Sequence, residues 1–348
     1  MRTRICYIHV GPHKTGTTSI QWFLRENRAE LLKHGYFVPE SGNVHGGHHP
    51  LVRQLCGTSV PPSHSKAAAK FAETLAQTSC EAVVVSSEAL DGLLRNQECA
   101  NAFFHHLRDL NLEPRIVVFP RNQPQLINSR YVEVVRGFRR SEPFVTFVSA
   151  EIHQATFSYS DFVALAKQFH TELIARPFTG QTIAGGVVAD FLQAIGADSS
   201  GFGEIQIRRN QTAGPFTVSV ARDVARLIAN SGRRLTPVQS RRCKRSLTSH
   251  LQENGLADTG YCGLSTELAW QIEKHWKKHN DAFAQQIWRK PWKDVFADDT
   301  GREFTPNDFD VVHPDELTQK QRHRTVMEIM ACVEDVIGDP LAKRTGTE

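Results

Sequence analysis

Residues 5–21 read Ile5-Cys6-Tyr7-Ile8-His9-Val10-Gly11-Pro12-His13-Lys14-Thr15-Gly16-Thr17-Thr18-Ser19-Ile20-Gln21. An apolar run rich in β-formers stops at Gly-Pro, passes a Lys and a Gly, and enters an amphipathic helical pattern. The stretch predicts a strand, a tight loop and a helix N-terminus. The first turn of such a helix presents unpaired backbone N–H groups and the positive end of the helix dipole, which together attract phosphate-like anions. Lys14 adds a full charge, and Thr15, Thr17 and Thr18 add hydroxyl donors. Gly11 and Gly16 let the backbone close around an anion with no Cβ in the way.

Outward from the loop, Thr17 to about Lys33 carries apolar residues at 20, 23, 24, 31 and 32, and Gly35 suits a helix stop. Tyr36-Phe37-Val38-Pro39 reads as extended, and residues 41–50 as a loop holding His45, His48 and His49. Lys66 to Thr78 is Ala-rich and helical. Ala82-Val83-Val84-Val85-Ser86-Ser87-Glu88 is a continuous apolar run ending in polar residues, the pattern of a buried parallel strand. A helix over 98–110 leads to another strand, Arg115-Ile116-Val117-Val118-Phe119-Pro120-Arg121, and Pro124 suits the first turn of a helix reaching Arg136. Ser160 is placed to cap a helix over 161–169, Glu172–Arg176 is a short strand, and Val187–Ile195 is helical up to Gly196. Strands alternating with helices imply an α/β class, a mainly parallel sheet with helices on both faces. Beyond 215 strand signals stop, and 216–230, 237–253, 265–289 and 315–336 are helical patterns. The expected division is an α/β core over 1–214 and a mostly helical extension over 215–348.

The 348 residues suffice for a substantial core, and 22% charged with 40% hydrophobic residues is ordinary for a globular protein. A formal net charge of +4 suits an anionic ligand without requiring nucleic acid. Seven cysteines (6, 56, 80, 99, 243, 262, 332) include no Cys-x-x-Cys pair, which points to reduced thiols rather than a disulfide frame or zinc site. With no apolar signal segment at the start and no run near the ~20 residues that span a bilayer, a cytoplasmic location is expected.

The loop departs from the nucleoside-triphosphate motif, in which Lys follows the second Gly. Here Lys14 precedes Gly16. Pro-His-Lys-Thr-Gly-Thr-Thr-Ser-Ile-Gln resembles the 5′-phosphosulfate loop of sulfotransferases that use 3′-phosphoadenosine 5′-phosphosulfate (PAPS). Arg121, at a strand end, is followed eight positions later by Ser129. That pattern is similar to the 3′-phosphate motif of the same enzymes. Arg208-Arg209-Asn210-Gln211-Thr212 resembles a late basic loop that closes over the nucleotide. The resemblance covers about residues 4–214 and is strongest at 8–24 and 115–131. It implies a P-loop-type fold, PAPS as co-substrate without a metal, and an acceptor hydroxyl or amine. The bacterial look of the loop suggests a carbohydrate-type relative. In the nucleotide site it places His13, Lys14, Thr15, Gly16, Thr17, Thr18, Arg121, Ser129 and Arg209.

Sulfuryl transfer needs an in-line acceptor, fixed donors for the charge that builds on oxygen, and a base for the acceptor proton. Lys14 suits the electrostatic role. His48, His49 and Glu88 are the candidate bases, since the resembling enzymes use either His or Glu. Gly-Gly-His-His-Pro lacks the helical spacing of zinc hydrolases, so no metal is expected. The segment 208–250 holds ten Lys or Arg and one acid, Asp223. It leaves two alternatives open: a polyanion or nucleic-acid binder, and, from the loop itself, a kinase or NTPase. No recognised nucleic-acid motif accompanies the basic segment, so nucleic acid is not expected as a partner.

Overall fold

The computed structural model describes residues 3–12, 14–154, 157–198, 202 and 212–338. The chain divides into two compact units, one of residues 1–122, 155–208 and 276–300, the other of 123–154, 209–275 and 301–348. These interleave along the chain, in place of one cut between 214 and 215. Residues 123–154 go with the helical unit, and 276–300 go with the sheet.

The first unit is built on five parallel strands: β1 (Arg4–His9), β2 (Tyr36–Phe37), β3 (Ala82–Ser86), β4 (Leu112–Val118) and β5 (Glu172–Ala175). Their order is β2-β3-β1-β4-β5, with β1 paired to β3 through Ile5–Ala82 to His9–Ser86 and to β4 through Arg4–Leu112 to His9–Val117. Alternate side chains divide between two cores, as the period of a strand requires. Cys6, Ile8, Val83, Val85, Ile116 and Val118 pack with Leu51, Phe71, Phe103 and Phe104 on one face. Tyr7, Val84, Val117 and Phe119 pack with Ile20, Leu24, Phe191 and Leu192 on the other. Both faces are covered by helices, which is why the strands are continuous apolar runs.

Several boundaries differ from the periodicity. The pattern over 17–33 is two helices, Thr17–Glu26 and Arg28–Lys33, separated at Asn27 (φ −106°). Short helices at His49–Leu55 and Ala89–Leu93 occupy stretches that carry too few residues to show a period. Within 276–300, Phe283, Trp292 and Phe296 are buried in the core of the first unit. The Trp288 indole donates to the Ala175 carbonyl at 3.0 Å, and the Trp292 indole to Asn122 Oδ1 at 3.0 Å.

The second unit is helical, with Gln123–Arg136, Phe144–Glu151, Pro215–Asn230, Pro237–Glu253 and Glu316–Gly338 its longer elements. Thr236 and Gln239 form a capping box at the start of 237–253, satisfying two otherwise orphaned N–H groups. Arg222, at 1% exposure, forks onto Asp308 at 3.0 and 2.9 Å and reaches Asp310 at 2.8 Å and the Tyr131 hydroxyl at 3.1 Å. The basic segment is therefore not one solvated face: one of its arginines is a neutralised core residue, and Arg226 pairs with Asp223.

Candidate functional site

In the first unit the chain runs from β1 to β2, returns to β3, and crosses to β4 on the opposite side of β1. Open parallel sheets bind ligands outside the strand carboxyl ends at such a reversal. The loops leaving β1 and β4 meet there. Arg121, three residues past β4, donates from Nη1 to the Lys14 carbonyl at 2.8 Å.

The loop after β1 is shaped by its glycines. A Cβ on Gly11 would stand 2.2 Å from Thr17 Cγ2, and one on Gly16 would stand 2.7 Å from Val187. Gly16 lies at φ +76°, and so, unusually for a residue with a side chain, does Lys14 at φ +72°. Such strain persists only where the surroundings impose it, and it concentrates at functional sites. Gly16 caps the helix Thr17–Glu26 without a side-chain hydrogen bond. Its carbonyl accepts from Ser19 and Ile20, and among the described residues the N–H groups of Thr17 and Thr18 have no acceptor. N–H groups at a helix start are the kind that attract anions, and Lys14 and Thr18 are exposed beside them. Thr15 differs from expectation. It is fully buried, and its hydroxyl donates to the Pro12 carbonyl at 2.8 Å, shaping the loop. His13 and Arg209 lie outside the described residues.

Arg121 is held at its backbone by Tyr159, whose hydroxyl accepts from the Arg121 N–H at 3.0 Å and donates to its carbonyl at 2.8 Å. The guanidinium lies 5.6 Å from the Phe178 ring centre. Tyr159 and Phe178 were not singled out from the sequence, because no local pattern ties either to residue 121. Ser129 sits on the helix Gln123–Arg136 of the second unit, at 9% exposure. Arg121 belongs to the first unit.

The carboxyl end of β3 carries the candidate bases. His48 is fully buried. Its Nε2 donates to the Pro39 carbonyl at 2.9 Å, and its Nδ1 accepts from the Ser86 N–H at 3.1 Å. Burial pushes its pKa down to about 4, more than the two backbone partners push it up. A neutral ring with both nitrogens engaged has no lone pair left for an acceptor proton, so here His48 ties the 41–48 loop to β3. His49 is half-buried, with Nδ1 2.8 Å from the Ser87 hydroxyl, which accepts from the Ala89 N–H at 3.2 Å. Glu88, next in the chain after Ser87, is half-buried. His9, fully buried in β1, is a further polar group that the strand pattern concealed. Its Nδ1 is 2.8 Å from the Ser86 hydroxyl, and burial lowers its pKa to about 4 against the pull of Glu88. Among the described residues no three His, Cys, Asp or Glu side chains come together to hold a metal ion. Nor, among the described residues, is any helix long and apolar enough to cross a membrane.

No family model matches the chain, and no curated protein matches it in sequence. Among solved structures it is similar to the crystal structure of a sulfotransferase from Alicyclobacillus acidocaldarius, with 18% identity and a TM-score of 0.36. The match covers 67% of this chain and 97% of that one.

Proposed function

We propose that this chain is a sulfotransferase that moves a sulfuryl group from PAPS to an acceptor hydroxyl or amine, a class that includes carbohydrates. The observation that carries the reading is the loop after β1. It combines a strained Lys14, two glycines that cannot bear a Cβ, and two helix-start N–H groups with no acceptor among the described residues. Arg121 is anchored to that loop. In this reading the Thr17 and Thr18 N–H groups and Lys14 hold the 5′-phosphosulfate, and Lys14 stabilises charge growing on the leaving oxygen. Arg121 takes the 3′-phosphate, a group that a guanidinium fork fits well. The acceptor proton goes to His49 or Glu88, both at the end of β3. PAPS supplies the sulfuryl group as co-substrate, and no metal is needed to neutralise it.

The test is calorimetric titration with 3′-phosphoadenosine 5′-phosphate and with ADP, in the absence of Mg²⁺. Binding of the 3′-phosphorylated nucleotide at least tenfold tighter is expected. Equal affinity for the two would remove the 3′-phosphate site and the reading with it.

A further inference from the structure

The second unit holds a cavity of about 640 Å³ that the sulfuryl-transfer reading does not use. Two helix ends build it in the same way. The helix Gln123–Arg136 closes with Phe138 N–H donating to the Val135 carbonyl at 2.8 Å and Arg139 N–H to the Val134 carbonyl at 3.0 Å. The helix Pro215–Asn230 closes with Gly232 N–H on the Ala229 carbonyl at 3.0 Å and Arg233 N–H on the Ile228 carbonyl at 3.3 Å. Both are Schellman endings, with a left-handed residue, Phe138 at φ +54° or Gly232 at φ +70°, and then two arginines. Arg139 and Arg140 follow the first helix, Arg233 and Arg234 the second, and all four line the cavity. A phenylalanine in the left-handed region costs about 1–2 kcal/mol. It is retained where Phe138 turns the two arginines toward the space.

The four guanidiniums are not equivalent. Arg140 is tied to Glu142 and Glu151 and lies 5.3 Å from the Phe147 ring centre, and Arg233 is paired with Glu334. Among the described residues Arg139 and Arg234 have no carboxylate partner, and both are exposed. A cation near a helix C-terminus answers the dipole there, but each end carries only about half a negative charge and is followed by two arginines. One uncommitted fork therefore remains on each wall. Phe138, Ile228 and Leu235 give the space between them an apolar floor. The volume falls in the ~300–1,000 Å³ range of organic-ligand sites and is far more than one inorganic oxyanion needs.

We propose that this cavity binds a compact organic polyanion, one carrying two or more sulfate, phosphate or carboxylate groups on a ring or short chain with an apolar face. Each uncommitted fork would take one oxyanion, bidentately.

The test is calorimetry on the full chain with a disulfated disaccharide, glucose 1,6-bisphosphate and sodium sulfate at fixed ionic strength. We expect at least one of the two organic probes to bind at least tenfold more tightly than sulfate, and the tighter one tells a sulfated saccharide from a sugar phosphate. The double variant Arg139→Gln/Arg234→Gln should weaken that probe by tenfold or more while binding 3′-phosphoadenosine 5′-phosphate within twofold of the parent. Both changes are at exposed positions, so the fold is preserved, which circular dichroism checks. Failure of both organic probes to exceed sulfate, or an unchanged affinity in the double variant, would overturn the proposal. A parent protein that binds a probe but not the nucleotide would sink the sulfuryl-transfer reading and leave this one standing.

Discussion

In the first unit the two fully buried histidines, His9 and His48, are held neutral by burial. In the second, Arg222 keeps its full charge at 1% exposure because Asp308 and Asp310 face it. The contrast extends to the rest of each unit. The sheet unit strains Lys14 and, among the described residues, leaves two helix-start N–H groups of the same loop without acceptors. The helical unit directs its buried polarity inward. Tyr131, Tyr261, Asp308 and Arg222 bond to one another, and although burial raises the Asp308 carboxyl, Arg222 outweighs it and holds the carboxyl below its ordinary value. Helix-start donors on a strained loop suit a ligand, whereas satisfied charges in a core specify packing.

The largest effect that would test this contrast is on the ion-pair core. Removing one partner of a buried pair strands the other charge, at a cost of about 3–5 kcal/mol. Asp308→Ala should therefore lower stability by that amount in urea, with Asp308→Asn losing less because it still accepts from Tyr261. A loss below about 1 kcal/mol would show that Asp310 alone can hold Arg222.

At the loop the effect should fall on turnover and not on stability. Lys14 is exposed, and in the proposed reaction its charge would follow the charge developing on the leaving oxygen. Lys14→Ala is expected to cut turnover by about 10²-fold or more, the scale of losing one oxyanion donor. In the proposed reaction Arg121 would hold a 3′-phosphate whose charge does not change, so Arg121→Ala should mainly raise the donor's KM by about tenfold, as loss of a charge-assisted bond of ~1.5–3 kcal/mol implies. Steady-state kinetics on both variants decide. A reversed pattern, with Lys14→Ala changing only KM and Arg121→Ala only turnover, would exchange the two roles.

Much of the sheet unit was legible in the residues. Ile5–Val10, Ala82–Ser86 and Arg115–Val118 are apolar on both pleat faces because helices cover both, and Gly11 and Gly16 mark the loop whose Cβ positions are filled. The role of His48 was not legible. An imidazole in a Gly- and His-rich loop looks solvent-facing, and only the fold brings the Pro39 carbonyl and Ser86 N–H to its two nitrogens. The placement of 276–300 was hidden for a related reason. Phe283, Trp288, Trp292 and Phe296 announce a buried face but not the surface it covers, and that surface is formed by residues more than a hundred positions earlier. Two-residue β2 falls below the length at which any period shows.

A further comparison separates the two units by pH. His9 and His48 have pKa values of about 4 in the folded chain against an ordinary 6.5. The unfolded chain therefore binds protons that the folded chain refuses. The stability these rings provide is complete above about pH 6.5 and is lost progressively as pH falls toward 4. Near pH 6 the loss should be roughly 1 kcal/mol per ring, growing by up to ~1.4 kcal/mol per ring for each further unit. Asp308 behaves differently: its carboxyl lies below 3.8 when folded, so its contribution survives this window and fails only in stronger acid. Urea midpoints followed from pH 7 to 5 should fall in the parent protein. His48→Asn offers the same two backbone groups an amide donor and acceptor without a titrating ring, and should remove about half of that fall. If the variant kept the parent's full slope, the mid-acid loss would belong to other groups and His48 would not be the neutral tie between the 41–48 loop and β3.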